Sequence, residues 1–206
     1  MPAVQGDATD EMLMVRYQRG DAEAFATLAR RHTRPVYNFV LRKLRDVAAA
    51  EDVAQEVFLR VVQNAGEFKH EARFSTWLYS IARNSCVDHQ RRMSHRRHAS
   101  LDRPAPGKSE ASEPLGAHLP DLRPDGNAER SYVSSKVQAS ILNALDALPD
   151  DQREVFLLRE VANLPFKEIA VVTDTPENTV KSRMRYALDR LREALSDFEE
   201  YARALR

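Results

Sequence analysis

The chain has 206 residues, room for one or two domains with real cores, and its 31 lysines and arginines balance its 31 aspartates and glutamates. That balance excludes a globally basic protein, and the lack of any apolar run near the ~20 residues that span a bilayer speaks against membrane insertion. Met1–Asp10 has neither the cationic start nor the apolar core of a signal peptide, and the single cysteine, Cys86, excludes an internal disulfide and suits a reducing cytosol.

Charge is clustered. Between Arg83 and His98 five cations (Arg83, Arg91, Arg92, Arg96, Arg97) face one acid, Asp88; between Thr179 and Arg192 five more (Lys181, Arg183, Arg185, Arg190, Arg192) face Asp189. Two basic patches on a neutral chain suggest two contacts with a polyanion, most simply nucleic acid.

After a short N-terminal tail, residues 1–9, helical patterning runs from Asp10 to His98. In Glu51–Gln63 the residues Val53, Val57 and Val61 share one side, which predicts a core stripe. Asp52, Gln55, Glu56, Leu59 and Gln63 gather opposite. A leucine ringed by carboxylates and amides suits a protein-docking patch, apolar at centre and polar at the rim. It equally suits an ordinary amphipathic helix with one exposed leucine, and the residues alone do not choose.

The next informative helix is Arg73–Arg92, where Phe74, Trp77, Leu78, Ile81 and Ala82 form the core stripe. Ser75, Thr76, Tyr79, Ser80, Arg83 and Asn84 are expected at its surface, leading into Arg91 and Arg92. Aromatic rings and an amide beside arginines match a single-strand surface, where bases stack while cations follow the backbone. One thiol with irregularly spaced histidines (Cys86, His89, His95, His98) makes a poor zinc site, and no metal or cofactor is expected.

Periodicity stops at about Ala99. Five prolines and three glycines before Arg130 predict a flexible linker over 99–130. Helical patterning returns over 131–206, interrupted at Leu148-Pro149-Asp150, with Asp150 read as a helix cap. With no sustained strand-like alternation, the fold class is all-α: two helical domains on a tether.

The strongest local signal follows. Phe166, Ile169 and Ala170 mark a short apolar helix, Thr173-Asp174-Thr175 a tight turn, and Pro176 the first position of a second helix. There Val180, Met184, Ala187, Leu188, Leu191 and Leu195 form the expected buried stripe. Thr179, Lys181, Ser182, Arg183, Arg185, Tyr186 and Arg190 lie off it. An apolar back with a front of hydroxyls and cations suits the major groove, so this is a helix-turn-helix signal. A phosphate-binding glycine loop, HExxH and a credible nucleophile–base pair are all missing from the sequence, so no enzyme is expected. A repressor or activator using only the C-terminal domain would leave the two N-terminal surfaces unexplained.

Asp52-Val-Ala-Gln-Glu-Val-Phe-Leu-Arg60, Phe74-Ser-Thr-Trp-Leu-Tyr-Ser-Ile-Ala-Arg-Asn84, and Leu148-Pro with Glu168-Ile-Ala and Thr179-Val-Lys-Ser-Arg183 resemble bacterial sigma factors. The resemblance is to the extracytoplasmic-function (ECF), RpoE-like group of the sigma-70 family, which keeps regions two and four. It implies region 2 at 10–98 and region 4 at 131–206, and a cytoplasmic role in transcription initiation, in answer to envelope or environmental stress. The partners implied are core RNA polymerase, through the clamp helices of its largest subunit and its beta flap, promoter DNA, and an anti-sigma factor. By residue, it implies polymerase contacts from Asp52, Gln55, Glu56 and Leu59. It implies −10 single-strand contacts from Trp77, Tyr79, Arg83, Asn84, Arg91 and Arg92. Duplex −35 contacts would come from Thr179, Lys181, Ser182, Arg183, Arg185 and Tyr186. Asp174 and Asn178 stand where the family often has glycine, and both types tolerate left-handed backbone. Phe68-Lys-His70 departs from the family's Phe-Arg-Gly, and Tyr186 replaces a frequent arginine.

Overall fold

A computed structural model describes residues 8–69, 71–100 and 139–196, the last four of the middle segment by backbone alone. His70 and nearly all of the expected tail and linker lie outside them.

Short polar caps open the first three helices. Thr9 Oγ1 accepts the Met12 amide (3.3 Å) to start α1, Asp10–Gln18; Asp21 accepts that of Ala24 (3.2 Å) to start α2, Ala22–Leu44. Asp46 does the same for Ala49 (2.8 Å) at α3, Val47–Gln63. A 3-10 turn at Ala65–Glu67 leads to α4, Phe74–Ser100. Its first amide, on Phe74, donates to Glu11 of α1 at 3.0 Å, a cap supplied from 63 residues away. Asp10 pins α1 to α2 through His32 (2.7 Å) and Arg31 (2.8 Å), and these partners, His32 first, hold its carboxyl below the ordinary value.

The valine stripe of α3 is as expected: Val53, Val57 and Val61 are buried. They meet Leu28, Val36, Phe39 and Val40 of α2 and Phe74, Leu78 and Ala82 of α4 in one core. Here α2, α3 and α4 contact one another pairwise as a three-helix bundle, with α1 packed on α2 and α4.

The C-terminal domain holds a helix through 139–146 (α5), then α6 (Asp150–Glu160), α7 (Phe166–Thr173) and α8 (Glu177–Ala194). Val155, Leu158, Leu164, Ile169, Val180 and Met184 fill its centre, and Leu145 and Leu148 close it against Ala187 and Leu191. Asp150 is not the cap of α6. That position is Pro149, and Asp150 is instead the first helical residue, its carboxylate 2.6 Å from buried Arg153, which also donates to the Leu148 carbonyl at 3.2 Å. Arg153 thus ties the loop to the helix from within.

Although the sequence reads as two domains on a tether, they pack against each other. α6 sits on α2, α7 sits on α4, and one apolar cluster runs through both.

Candidate functional site

Three surfaces carry the candidate residues. On α3, Leu59 stands 61% exposed, with Asp52 and Gln55 exposed and Glu56 half-buried beside it. A single exposed leucine is ordinary on a helix, and it becomes a candidate docking patch when an apolar recess adjoins it. One does. A groove of about 570 Å³ runs between α2 and α3, lined by Phe25, Ala29 and Tyr37 on one wall and Ala54, Phe58 and Leu59 on the other. Phe25, Tyr37 and Phe58 were not singled out from sequence, because two helices must be juxtaposed before these rings share a recess. Glu56 holds Arg60 at 2.6 Å and Arg92 of α4 at 3.2 Å, so the patch has a fixed polar rim.

The second surface is α4. Trp77 is half-buried against Phe68 (centroids 5.3 Å) and Phe74 (6.1 Å), and Asn84 is exposed two turns further along. Arg91 and Arg92 are exposed. Arg83 is half-buried, its Nε 3.2 Å from Glu154 of α6. Tyr79 corrects the sequence expectation. It is 1% exposed, edge-on to Phe39 at 5.3 Å, and burial raises its phenol far above the ordinary value. It belongs to the core because Phe74, Leu78 and Ala82 set the buried stripe, and Tyr79, one residue on from Leu78, widens it. Thr76 is buried likewise, under α7.

Tyr79 therefore yields a clear expectation. Its hydroxyl has no hydrogen-bond partner among the described residues, so Tyr79→Phe should leave thermal stability level or slightly raised. Tyr79→Ala should cost about 3–5 kcal/mol in denaturant titration by opening a cavity. A Phe variant that folds normally but loses single-strand binding would return the hydroxyl to the DNA surface.

The third surface is the helix-turn-helix. α7 ends on Asp174 in the left-handed region (φ 49°), and the Thr175 amide turns back to the Ala170 carbonyl at 3.0 Å. Only a short polar residue or glycine takes that conformation cheaply, and aspartate serves. Asn178, in contrast, lies inside α8 with helical backbone. Pro176 caps α8 from the position before its first helical residue.

Val180, Met184, Ala187 and Leu191 are buried as expected. Leu188 is not: at 44% exposed it leaves the stripe, since Ala187 takes the contact with α5. Lys181 and Arg185 stand outward. Lys181 reaches Glu177 at 2.6 Å, and the Arg185 guanidinium lies 5.1 Å above the Tyr186 ring. Thr179 is exposed, and Ser182 donates to the Asn178 carbonyl at 3.0 Å. Arg183 turns from the front. Half-buried, it meets Asp151 of α6 at 3.0 Å and Thr175 Oγ1 at 3.3 Å, and so braces the helix against its own domain.

Among the described residues no helix is long and apolar enough to cross a membrane.

The sigma-70 region 2 family matches residues 28–97, and the sigma-70 region 4 family matches 138–191. The RNA polymerase sigma-H factor of Pseudomonas aeruginosa is 32% identical over 190 residues, covering 90% of this chain and 93% of that protein. The ECF RNA polymerase sigma-E factor of Escherichia coli is 33% identical over 184 residues, 88% and 93% of the two chains. Two solved structures share the fold. One is the sigma factor RpoE of Bartonella quintana in complex with the anti-sigma factor NepR (TM-score 0.63, 22% identity, 84% of this chain and 96% of that one). The other is CnrH in complex with the cytosolic domain of CnrY (TM-score 0.62, 19%, 92% and 99%). Matches in order across nearly the whole chain, over helices that present these surfaces, establish that the protein belongs to the ECF group of the sigma-70 family and is a sigma factor for promoter-directed transcription initiation.

Proposed function

We propose a division of labour among the three surfaces. The α3 face with Asp52, Gln55, Glu56 and Leu59 binds the clamp helices of the largest polymerase subunit, with the α2–α3 groove receiving an apolar side chain. Trp77, Arg83, Asn84, Arg91 and Arg92 engage the −10 element as a single strand. The front of α8, led by Thr179, Lys181, Ser182, Arg185 and Tyr186, reads −35 duplex, while the C-terminal domain rests on the beta flap. An anti-sigma factor holds the protein silent until an envelope or environmental signal releases it, a reading supported by the solved sigma factor RpoE that was captured with the anti-sigma factor NepR.

The observation that carries this reading is Leu59, 61% exposed on the lip of an apolar groove of about 570 Å³. Partner dependence tests it. The described cations of α8 that lack an acidic partner are Arg185 and Arg190, so few phosphates are met and salt weakens binding steeply. Free protein should therefore bind promoter duplex weakly at physiological salt, and core polymerase should raise occupancy by bringing both domains to their elements together. Tight, specific duplex binding by the protein alone would favour a repressor.

A further inference from the structure

Trp77 is the only tryptophan in the chain, and it leans on two phenylalanine rings, Phe68 at 5.3 Å and Phe74 at 6.1 Å. Both supports are buried, and they meet each other edge to face at 5.9 Å. Each is also held through its backbone by one side chain of α1. Gln18 Nε2 donates to the Phe68 carbonyl at 3.0 Å and to the Ala65 carbonyl at 2.8 Å. Glu11 accepts the Phe74 amide at 3.0 Å.

Glu11 and Gln18 lie two helical turns apart on one face of α1, about 10 Å along its axis. They reach the two ends of the chain that joins α3 to α4: the 3-10 turn that leaves α3, and the first residue of α4. The seat of α1 itself comes from other residues. Leu13 and Met14 are buried, and Asp10 holds His32 and Arg31. The His32 ring stands 5.3 Å from that of Phe74, so the same anchor touches one of the two supports. Glu11 and Gln18 add nothing to that apolar seat. Their bonds go to the first amide of α4, which no helix pairs for itself, and to carbonyls of the connecting turn. What they fix is where Phe68 stands relative to Phe74, and with it the cradle of Trp77.

A ring that parts two strands acts while base stacking is being lost. Any freedom left in its seat is ordering that must be supplied at the same moment. A cradle held from both ends has supplied it beforehand.

We propose that Glu11 and Gln18 are positioning residues for strand separation at −10. α1 clamps both ends of the connection between α3 and α4, and so holds Trp77 in the attitude that parts the strands. This rests on the reading that Trp77 meets the −10 element.

The test reads the same variants in the free protein and in the complete polymerase. Gln18→Met keeps the length of the side chain and loses both donated bonds, and Glu11→Ala removes the acceptor. Glu11→Gln keeps an oxygen for the Phe74 amide. In free Gln18→Met and Glu11→Ala, indole emission should move to longer wavelength and open to acrylamide quenching, with circular dichroism and affinity for core polymerase as in the parent. Glu11→Gln should emit like the parent. With polymerase, open-complex formation on duplex promoter should fall about five- to tenfold in Gln18→Met and in Glu11→Ala, the scale of one or two hydrogen bonds. It should recover on a template premelted at −10, and Glu11→Gln should open duplex as the parent does. Placed in Trp77→Ala, neither change should lower opening further, because a residue that acts through a ring loses its effect when the ring is gone. Should Gln18→Met fail to fold, the contrast between Glu11→Ala and Glu11→Gln carries the test. Parent-like emission in both Gln18→Met and Glu11→Ala overturns the clamp. Defects that add to that of Trp77→Ala, or persist on the premelted template, overturn the positioning of Trp77. A defect in Trp77→Ala that the α1 variants do not share overturns the proposal alone, whereas unimpaired duplex opening by Trp77→Ala overturns the −10 reading of Trp77 and the proposal with it.

Discussion

Leu59→Asp combined with Gln55→Ala should reduce affinity for core RNA polymerase by about 100-fold or more. A central apolar anchor in a docking patch commonly contributes 2 kcal/mol or more, about 30-fold, and a buried uncompensated carboxylate adds a desolvation penalty. The free protein should tolerate both changes. Leu59 is 61% exposed and Gln55 is exposed, while the packing of α3 rests on Val53, Val57 and Val61, which are untouched. Circular dichroism and melting temperature should match the parent, and binding measured against immobilised core enzyme should drop. A well-folded variant that binds core unchanged would remove α3 from the interface. Phe58→Ala is a useful companion, since it empties part of the groove wall without adding charge and should weaken binding less.

The contrast between α3 and α8 shows what a sequence makes readable. Both present an apolar stripe at helical spacing, and for α3 every stripe residue proved buried. In α8 the same spacing admitted Ala187 and Leu188 alike, and only the contact with α5 decides between them. The turn was readable for a local reason: aspartate at 174 accepts φ 49°, whatever lies beyond the turn. Tyr79 was misread because a tyrosine beside surface residues keeps a polar tip, and periodicity cannot tell whether that tip finds water. The domain contact was unreadable for a stronger reason. Lys43 and Glu154 are each unremarkable on their own helices, and nothing in either helix signals a 2.7 Å pair formed across more than a hundred residues. Arg183 belongs to the same class. Its charge drew it into the groove-facing set, and its ties to Asp151 and Thr175 drew it out.

The two DNA surfaces should separate cleanly by template. Lys181 and Arg185 stand at the front of α8, where one good base or phosphate contact contributes about 1–3 kcal/mol, roughly 5- to 150-fold. With polymerase present, Lys181→Ala or Arg185→Ala should weaken closed-complex formation on duplex promoter by that amount. Neither should matter much on a template already unpaired at −10. Arg185→Ala should be the stronger, because its loss also frees the Tyr186 ring that it covers at 5.1 Å, whereas Lys181 is partly spent on Glu177. Asn84→Ala should do the reverse. Engagement at −35 should be nearly intact, and open-complex formation should fall, since an extruded base would have left its stack without gaining its polar partner. A premelted bubble separates the two ways in which α4 could fail. Trp77 packs on Phe68 and Phe74 and acts at the edge where strands part, so a bubble should recover much of the defect of Trp77→Ala. It should not recover Asn84→Ala, whose contact is with the exposed base itself. Transcription from duplex and bubble templates, run side by side with the four variants, reads all of this in one experiment. Equal recovery of Asn84→Ala and Trp77→Ala by the bubble would mean that Asn84 does not read the single strand.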